Sequence, residues 1–137
     1  MFRTVLQEHP TGCGVACVAM LAGVPYAQAE AAMREIGLWG PRSRGRYTRY
    51  RDLVAGLERL GIPCRAARCR DLEAIATAAI VGVRTGSRRH FHWVVARRTD
   101  AGTLAIHDPL LASVQPCAAY RARLRRGAFA VQALTAL

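Results

Sequence analysis

Gln7-Glu8-His9-Pro10-Thr11-Gly12-Cys13-Gly14-Val15-Ala16-Cys17-Val18-Ala19-Met20 sets one cysteine between two glycines at the mouth of an apolar run and a second cysteine four residues on. From Gly14 to Ala22 the chain is apolar almost all round, the mark of a helix buried on every side, and Gly23-Val24-Pro25 ends it. Cys13 therefore stands at a helix N-terminus, where unpaired N–H groups and the positive end of the dipole favour thiolate over thiol. Cys17 lies one turn deeper, followed by Val18-Ala19-Met20, and should point into the core. The flanking glycines keep bulk away from the Cys13 sulfur, so that a substrate carbonyl can approach. The same tripeptide would also suit a tight turn carrying an inert thiol.

Outward from this helix the periodicity changes once. Tyr26 to Ile36 places apolar residues at helical spacing with Gly37 as a stop, and Arg51 to Leu60 repeats Leu53, Val54, Leu57 and Leu60 on one helical face before Gly61-Ile62-Pro63. Between them Gly40 to Gly45 is a charged loop with turn chemistry. Beyond Pro63 the apolar runs are short. Ala79 to Val83, His92 to Ala96 and Thr103 to Ile106 read as strands, the last two forming a hairpin through Thr99-Asp100-Ala101-Gly102. A short helix is expected around Cys117 to Leu124 and a last strand at Ala128 to Leu134. Helices followed by strands indicate an α+β domain with an antiparallel sheet.

The 137 residues suffice for one domain, 1–137, with a sizeable core. The uncharged run from Pro10 to the residue before Glu30 is broken by Pro25, whereas a spanning helix needs about 20 continuous apolar residues. No secretory signal pattern is present either. The expectation is a bacterial protein of the cytoplasm without a membrane segment, or one that leaves by a route other than a classical signal peptide.

Five cysteines, Cys13, Cys17, Cys64, Cys69 and Cys117, are an odd number at irregular spacings, which does not suit a disulfide framework. Zinc fits poorly too, because the spacers within Cys13/Cys17 and Cys64/Cys69 are three and four residues and lack the knuckle of structural zinc sites. Reduced thiols and no metal or cofactor are expected. The 20 cations are all arginine, against 9 acidic residues, for a net charge of +11. Arginine without lysine beside abundant alanine is the composition of a GC-rich bacterial gene. Two basic patches nevertheless stand out: Arg42, Arg44, Arg46, Arg49 and Arg51 interleaved with Tyr47 and Tyr50, and Arg121, Arg123, Arg125 and Arg126. They would suit an acidic partner. Neither contains a nucleic-acid motif.

A cysteine nucleophile needs a base and a group that orients the base, brought together by folding. His90 and His92 share one strand face, and His92 opens the run Trp93-Val94-Val95-Ala96, read as a strand start at a sheet edge from which a base reaches a helix terminus. Asp108-Pro109 ends the next strand, where a carboxylate can accept the His92 ring N–H and fix its tautomer. His9 lies in the first loop and His107 precedes Asp108. A strand histidine that is merely packed, and an Asp-Pro that is merely a turn, are the plainer readings of each residue alone.

Gln7, then Cys13-Gly14 and Ala16-Cys17-Val18-Ala19-Met20, resembles the active-site helix of the papain-like bacteriocin-processing peptidases, the double-glycine leader peptidases. His92-Trp93-Val94-Val95 and Ile106-His107-Asp108-Pro109 are similar to that family's histidine and aspartate strands, and Tyr47 to Ile62 to its third helix. The resemblance implies a papain-like fold with N-terminal helices packed on a C-terminal antiparallel sheet. It also implies Cys13 as nucleophile, His92 as base and then acid, Asp108 as orienter and Gln7 as oxyanion donor. Gly12 stands where the family commonly has an acidic residue.

The function expected is a cysteine peptidase acting on a peptide or protein through a thioester acyl-enzyme. The same four residues would serve an acyltransferase or a side-chain deamidase. A peptide-binding module with a vestigial site and a nucleic-acid binder are the non-enzymatic alternatives.

Overall fold

The computed structural model describes residues 2–41, 47–86 and 91–135, so the loop at 42–46 with Arg42, Arg44 and Arg46, and also His90, lie outside the described residues. Three helices come first: α1 (Cys13–Ala22), α2 (Tyr26–Glu35) and α3 (Tyr50–Arg59). Six strands follow: β1 (Cys64–Cys69), β2 (Ala78–Arg84), β3 (Phe91–Arg98), β4 (Leu104–His107), β5 (Gln115–Pro116) and β6 (Ala128–Ala133). They form one antiparallel sheet in the order β1-β6-β2-β3-β4-β5. The helices-then-sheet reading therefore holds, with element ends within a residue or two of the pattern.

Alternation along the central strands builds two cores. Ile80, Trp93, Val95 and Val131 face the helices, where they meet Val15, Val18, Met33, Leu53 and Leu57. Val81, Val83, Val94, Ile106 and Ala130 face the other way, under Leu72, Ile75, Cys117, Tyr120 and Leu124. Residues two apart on a strand share a face, so one sheet serves both layers. Helix α1 is buried from Gly14 to Leu21 and packs against α2, α3 and β3, as its all-round apolarity requires. No single helix among the described residues is long and apolar enough to cross a membrane.

Three expectations change. Strand β1, Cys-Arg-Ala-Ala-Arg-Cys, carries no apolar alternation and was not legible; it is an edge strand held by its pairing with β6 from Cys64↔Ala133 to Cys69↔Ala128. The segment at 117–124 is two 3₁₀ turns, Cys117–Ala119 and Arg121–Arg123, instead of a helix. Tyr120 joins them at φ −114°, its ring buried, and Leu124 bridges to Val83. Finally, His92 is the second residue of β3, which lies between β2 and β4 in the sheet interior and not at an edge.

Candidate active site

Gly12 is the N-cap of α1 and supplies no side-chain cap, so the first turn carries Cys13 at an end whose N–H groups no capping side chain occupies. Cys13 is half-buried. The glycines on either side have a firmer reason than room for a carbonyl. A Cβ on Gly12 would lie 2.2 Å from the Tyr26 hydroxyl, and a Cβ on Gly14 would lie 2.7–2.8 Å from the Thr48 side chain. Tyr26 and Thr48 thus close on the backbone to each side of the cysteine. Thr48 is itself fixed, because its carbonyl accepts the Trp93 indole N–H at 2.9 Å.

The sheet brings the other groups to this helix end. His92 Nε2 donates to Asp108 Oδ1 at 2.6 Å, both side chains being buried. Cys13 is the other group whose proximity acts on the His92 ring. Since Nε2 faces the carboxylate, Nδ1 is the ring nitrogen left for the sulfur. Burial would lower the proton affinity of His92, but Asp108 and Cys13 outweigh it and push its pKa up to about 9. Burial would raise Asp108, yet hydrogen bonds from His92, Tyr120 and the Leu110 N–H hold it down at about 2. Asp108 is thus a buried carboxylate with its acceptor sites taken: Tyr120 donates its hydroxyl to Oδ2 at 2.6 Å, and the Leu110 N–H donates to Oδ1 at 2.9 Å.

Gln7 lies beside this group without reaching across it. Its backbone N–H donates to the Pro109 carbonyl at 3.0 Å, tying the N-terminal segment to the residue after Asp108. Its side-chain amide donates to the carbonyls of His9 and Pro10 at 3.0 and 3.1 Å, bracing the loop that leads to Cys13. The Gln7 Oε1 is buried and has no hydrogen-bond partner.

The remaining histidines and cysteines separate from the site. His107 is buried, its ring held between the Thr4 hydroxyl (2.7 Å, at Nδ1) and the Arg97 Nε–H (3.1 Å, at Nε2). Burial and the Arg97 charge pull its pKa down to about 4. His9 accepts the Thr11 N–H at 3.1 Å and lies against the Trp39 ring. Cys17 is fully buried, and burial pushes its thiol pKa up, with the neighbouring Cys13 and Asp108 adding to the effect. Burial also raises Cys64 and Cys69. All five cysteines are free.

Three side chains were missed by reasoning from the sequence: Tyr120, Thr48 and Tyr26. Tyr120 comes twelve residues after its aspartate in a stretch of ordinary composition, so no local signal marks it. Thr48 and Tyr26 were signalled only indirectly, through the glycines that make room for them.

Seventeen to eighteen per cent identity links the chain to two solved peptidase domains of the same overall fold. The peptidase domain of Streptococcus ComA, a bifunctional ABC transporter involved in quorum sensing, superposes with a TM-score of 0.71 at 17% identity, covering 97% of this chain and 98% of that one. The Streptococcus mutans ComA peptidase domain gives 0.65 at 18%, covering 98% and 100%. A double glycine motif protease from an AMS/PCAT transporter, solved in complex with the leader peptide, gives 0.66 at 16%, covering 95% and 89%. No curated protein matches the sequence. The family model described as the peptidase C39 family matches residues 1–126. A match over that much of the chain, on a helices-and-sheet framework of the expected papain-like kind, makes this protein a member of the peptidase C39 family and so a cysteine peptidase.

Proposed function

We propose that the chain hydrolyses a peptide bond through a thioester, with Cys13 as nucleophile, His92 as base and then acid, and Asp108 as orienter. The carrying observation is the His92 ring fixed by Asp108 at 2.6 Å with Cys13 close enough to act on it. The Cys13 sulfur attacks the carbonyl carbon while the proton resides on His92, whose other ring nitrogen is fixed by Asp108. The tetrahedral oxyanion is met by the Cys13 backbone N–H and by a side-chain N–H of Gln7, released from the His9 or Pro10 carbonyl. His92 then protonates the departing amine, leaving the acyl group on sulfur. Water, deprotonated by His92, attacks the thioester, and collapse of the second tetrahedral species returns the thiol and frees the acid product.

The substrate is a peptide with two glycines before the scissile bond. In support, a neighbour of the same fold is a double glycine motif protease solved with a leader peptide. The test is turnover of a quenched fluorescent Gly-Gly peptide by wild type and Cys13→Ala. Cleavage confined to wild type, at the bond after the second glycine, is expected; cleavage that survives Cys13→Ala rejects the assignment.

A further inference from the structure

Two concavities of about 500 and 180 Å³ adjoin, sharing Leu124 and Arg126. Arg84 and Arg125 line the first, Arg70 and Arg121 the second, and all five arginines are exposed. Counter-charge is scarce. Arg121 is paired with Glu73 at 2.6 Å, and Glu73 also takes Arg98. Asp71, the acidic residue of the lining, uses Oδ1 to accept the Glu73 N–H. Arg70, Arg84, Arg125 and Arg126 make no ion pair among the described residues.

These cations are also partly fixed. Arg84 donates to the Ala122 carbonyl at 2.8 Å, and the Arg125 guanidinium lies 4.0 Å from the centre of the Phe91 ring. Pre-ordered guanidinium groups lose little freedom on meeting a carboxylate, which they bind in a planar fork. The position matters as much as the charge. Leu124 bridges to Val83, and Val83 is the residue opposite His92 in the β2–β3 register. At 4.7–4.9 Å per strand, the groove begins about 10 Å from the His92 backbone, a span of roughly three extended residues.

We propose that this arginine groove binds an acidic stretch of the peptide being cleaved, within a few residues of the scissile bond. The inference rests on the assignment of Cys13 and His92 to the reaction. A nucleic acid is a poorer occupant, since the nearby aromatic faces are taken by arginines, Phe91 by Arg125 and Tyr120 by Arg123, leaving no stacking platform for bases. A membrane surface is poorer still: among the described residues none of the exposed large apolar side chains lines either concavity.

The experiment uses two fluorescent Gly-Gly peptides that differ only in three flanking residues, Glu in one and Gln in the other, each placed before or after the bond. Binding is measured by anisotropy on Cys13→Ala, and turnover on the active enzyme. In one of the two placements the Glu peptide should bind about tenfold more tightly at low salt, with the advantage fading as salt rises and appearing in KM more than in kcat. Adding Arg84→Gln with Arg126→Gln should bring the Glu-to-Gln ratio close to one while the melting temperature holds. Equal binding of Glu and Gln peptides in both placements overturns the proposal, as does a preference that survives the double substitution. Tighter binding of a single-stranded RNA or of phosphatidylglycerol vesicles, lost in the double variant, overturns it in favour of that partner. Because the binding arm needs no cleavage, failure to cut Gly-Gly peptides rejects only the peptide-bond assignment.

Discussion

Replacing Tyr120 by Phe removes one hydroxyl and nothing else from a closed site. That hydroxyl donates to Asp108 Oδ2 at 2.6 Å, and both residues are at least 96% buried, with relative exposures of 2% and 4%. A hydrogen bond to a charged group contributes about 1.5–3 kcal/mol, and water cannot replace it in so closed a site. The variant should therefore be less stable by about 1.5–3 kcal/mol at pH 7, a fall of roughly 5–10 °C in melting temperature for a chain of this size. The dependence on pH separates the charged bond from simple packing. Asp108 is depressed below its ordinary 3.8, so its charge contributes stability that is present above that value and lost as pH falls through about 2. Without the Tyr120 donor the folded carboxylate titrates higher, because only the part of that energy beyond a neutral hydrogen bond, about 0.5–2 kcal/mol, depends on its charge. The stability gap between wild type and Tyr120→Phe should thus be full at pH 7, begin to close below about pH 4, and shrink towards the roughly 1 kcal/mol of a neutral hydrogen bond once both proteins hold a protonated Asp108. Urea unfolding from pH 7 to 2.5 follows the start of this closing. A gap of the same size at every pH, or none at pH 7, refutes the reasoning. Turnover should fall less than in Asp108→Asn, because the Leu110 N–H still holds Oδ1.

An electrophilic thiol probe at neutral pH should label Cys13 ahead of Cys17, Cys64, Cys69 and Cys117, read by peptide mass mapping; His92→Ala should remove most of that labelling and Asp108→Asn only part. Gln7→Ala should lower peptide turnover roughly 100–1,000-fold while changing simple alkylation of Cys13 far less, because alkylation builds no oxyanion; equal losses in both assays would assign Gln7 to bracing the loop alone. Gly12→Ala drives a methyl to 2.2 Å from the Tyr26 hydroxyl and should destabilise by about 1–3 kcal/mol. Adding Tyr26→Phe leaves the nearest ring carbon at 3.2 Å and should restore much of the loss in thermal melts.

The glycine-flanked cysteine was legible because a helix N-terminus has a local signature, and His92 because a strand start has one. Asp108 followed from the hairpin, whose register is short-range. What lay beyond reach depended on contacts between distant segments. Strand β1 exists because β6 offers it hydrogen bonds, and its own residues do not alternate. The interior position of β3 follows from its pairing with both β2 and β4, whereas the return of β6 beside β2 is specified by no local pattern. Tyr120 was invisible for the same reason, and its pull towards Asp108 accompanies the break of the expected helix into two 3₁₀ turns.

The two described histidines near the carboxylate, His92 and His107, sit on neighbouring strands with opposite protonation habits. One keeps its proton up to about pH 9, and the other gives it up above about pH 4. In the resting site neither histidine changes charge across the acidity range of ordinary cells, so Asp108 faces one charged imidazole and one neutral one. The Arg97–His107–Thr4 contact acts, in this sense, as an insulator: it places an imidazole one residue from the Asp108 carboxylate while keeping it neutral. Physiological acidification should accordingly leave this corner of the molecule unswitched.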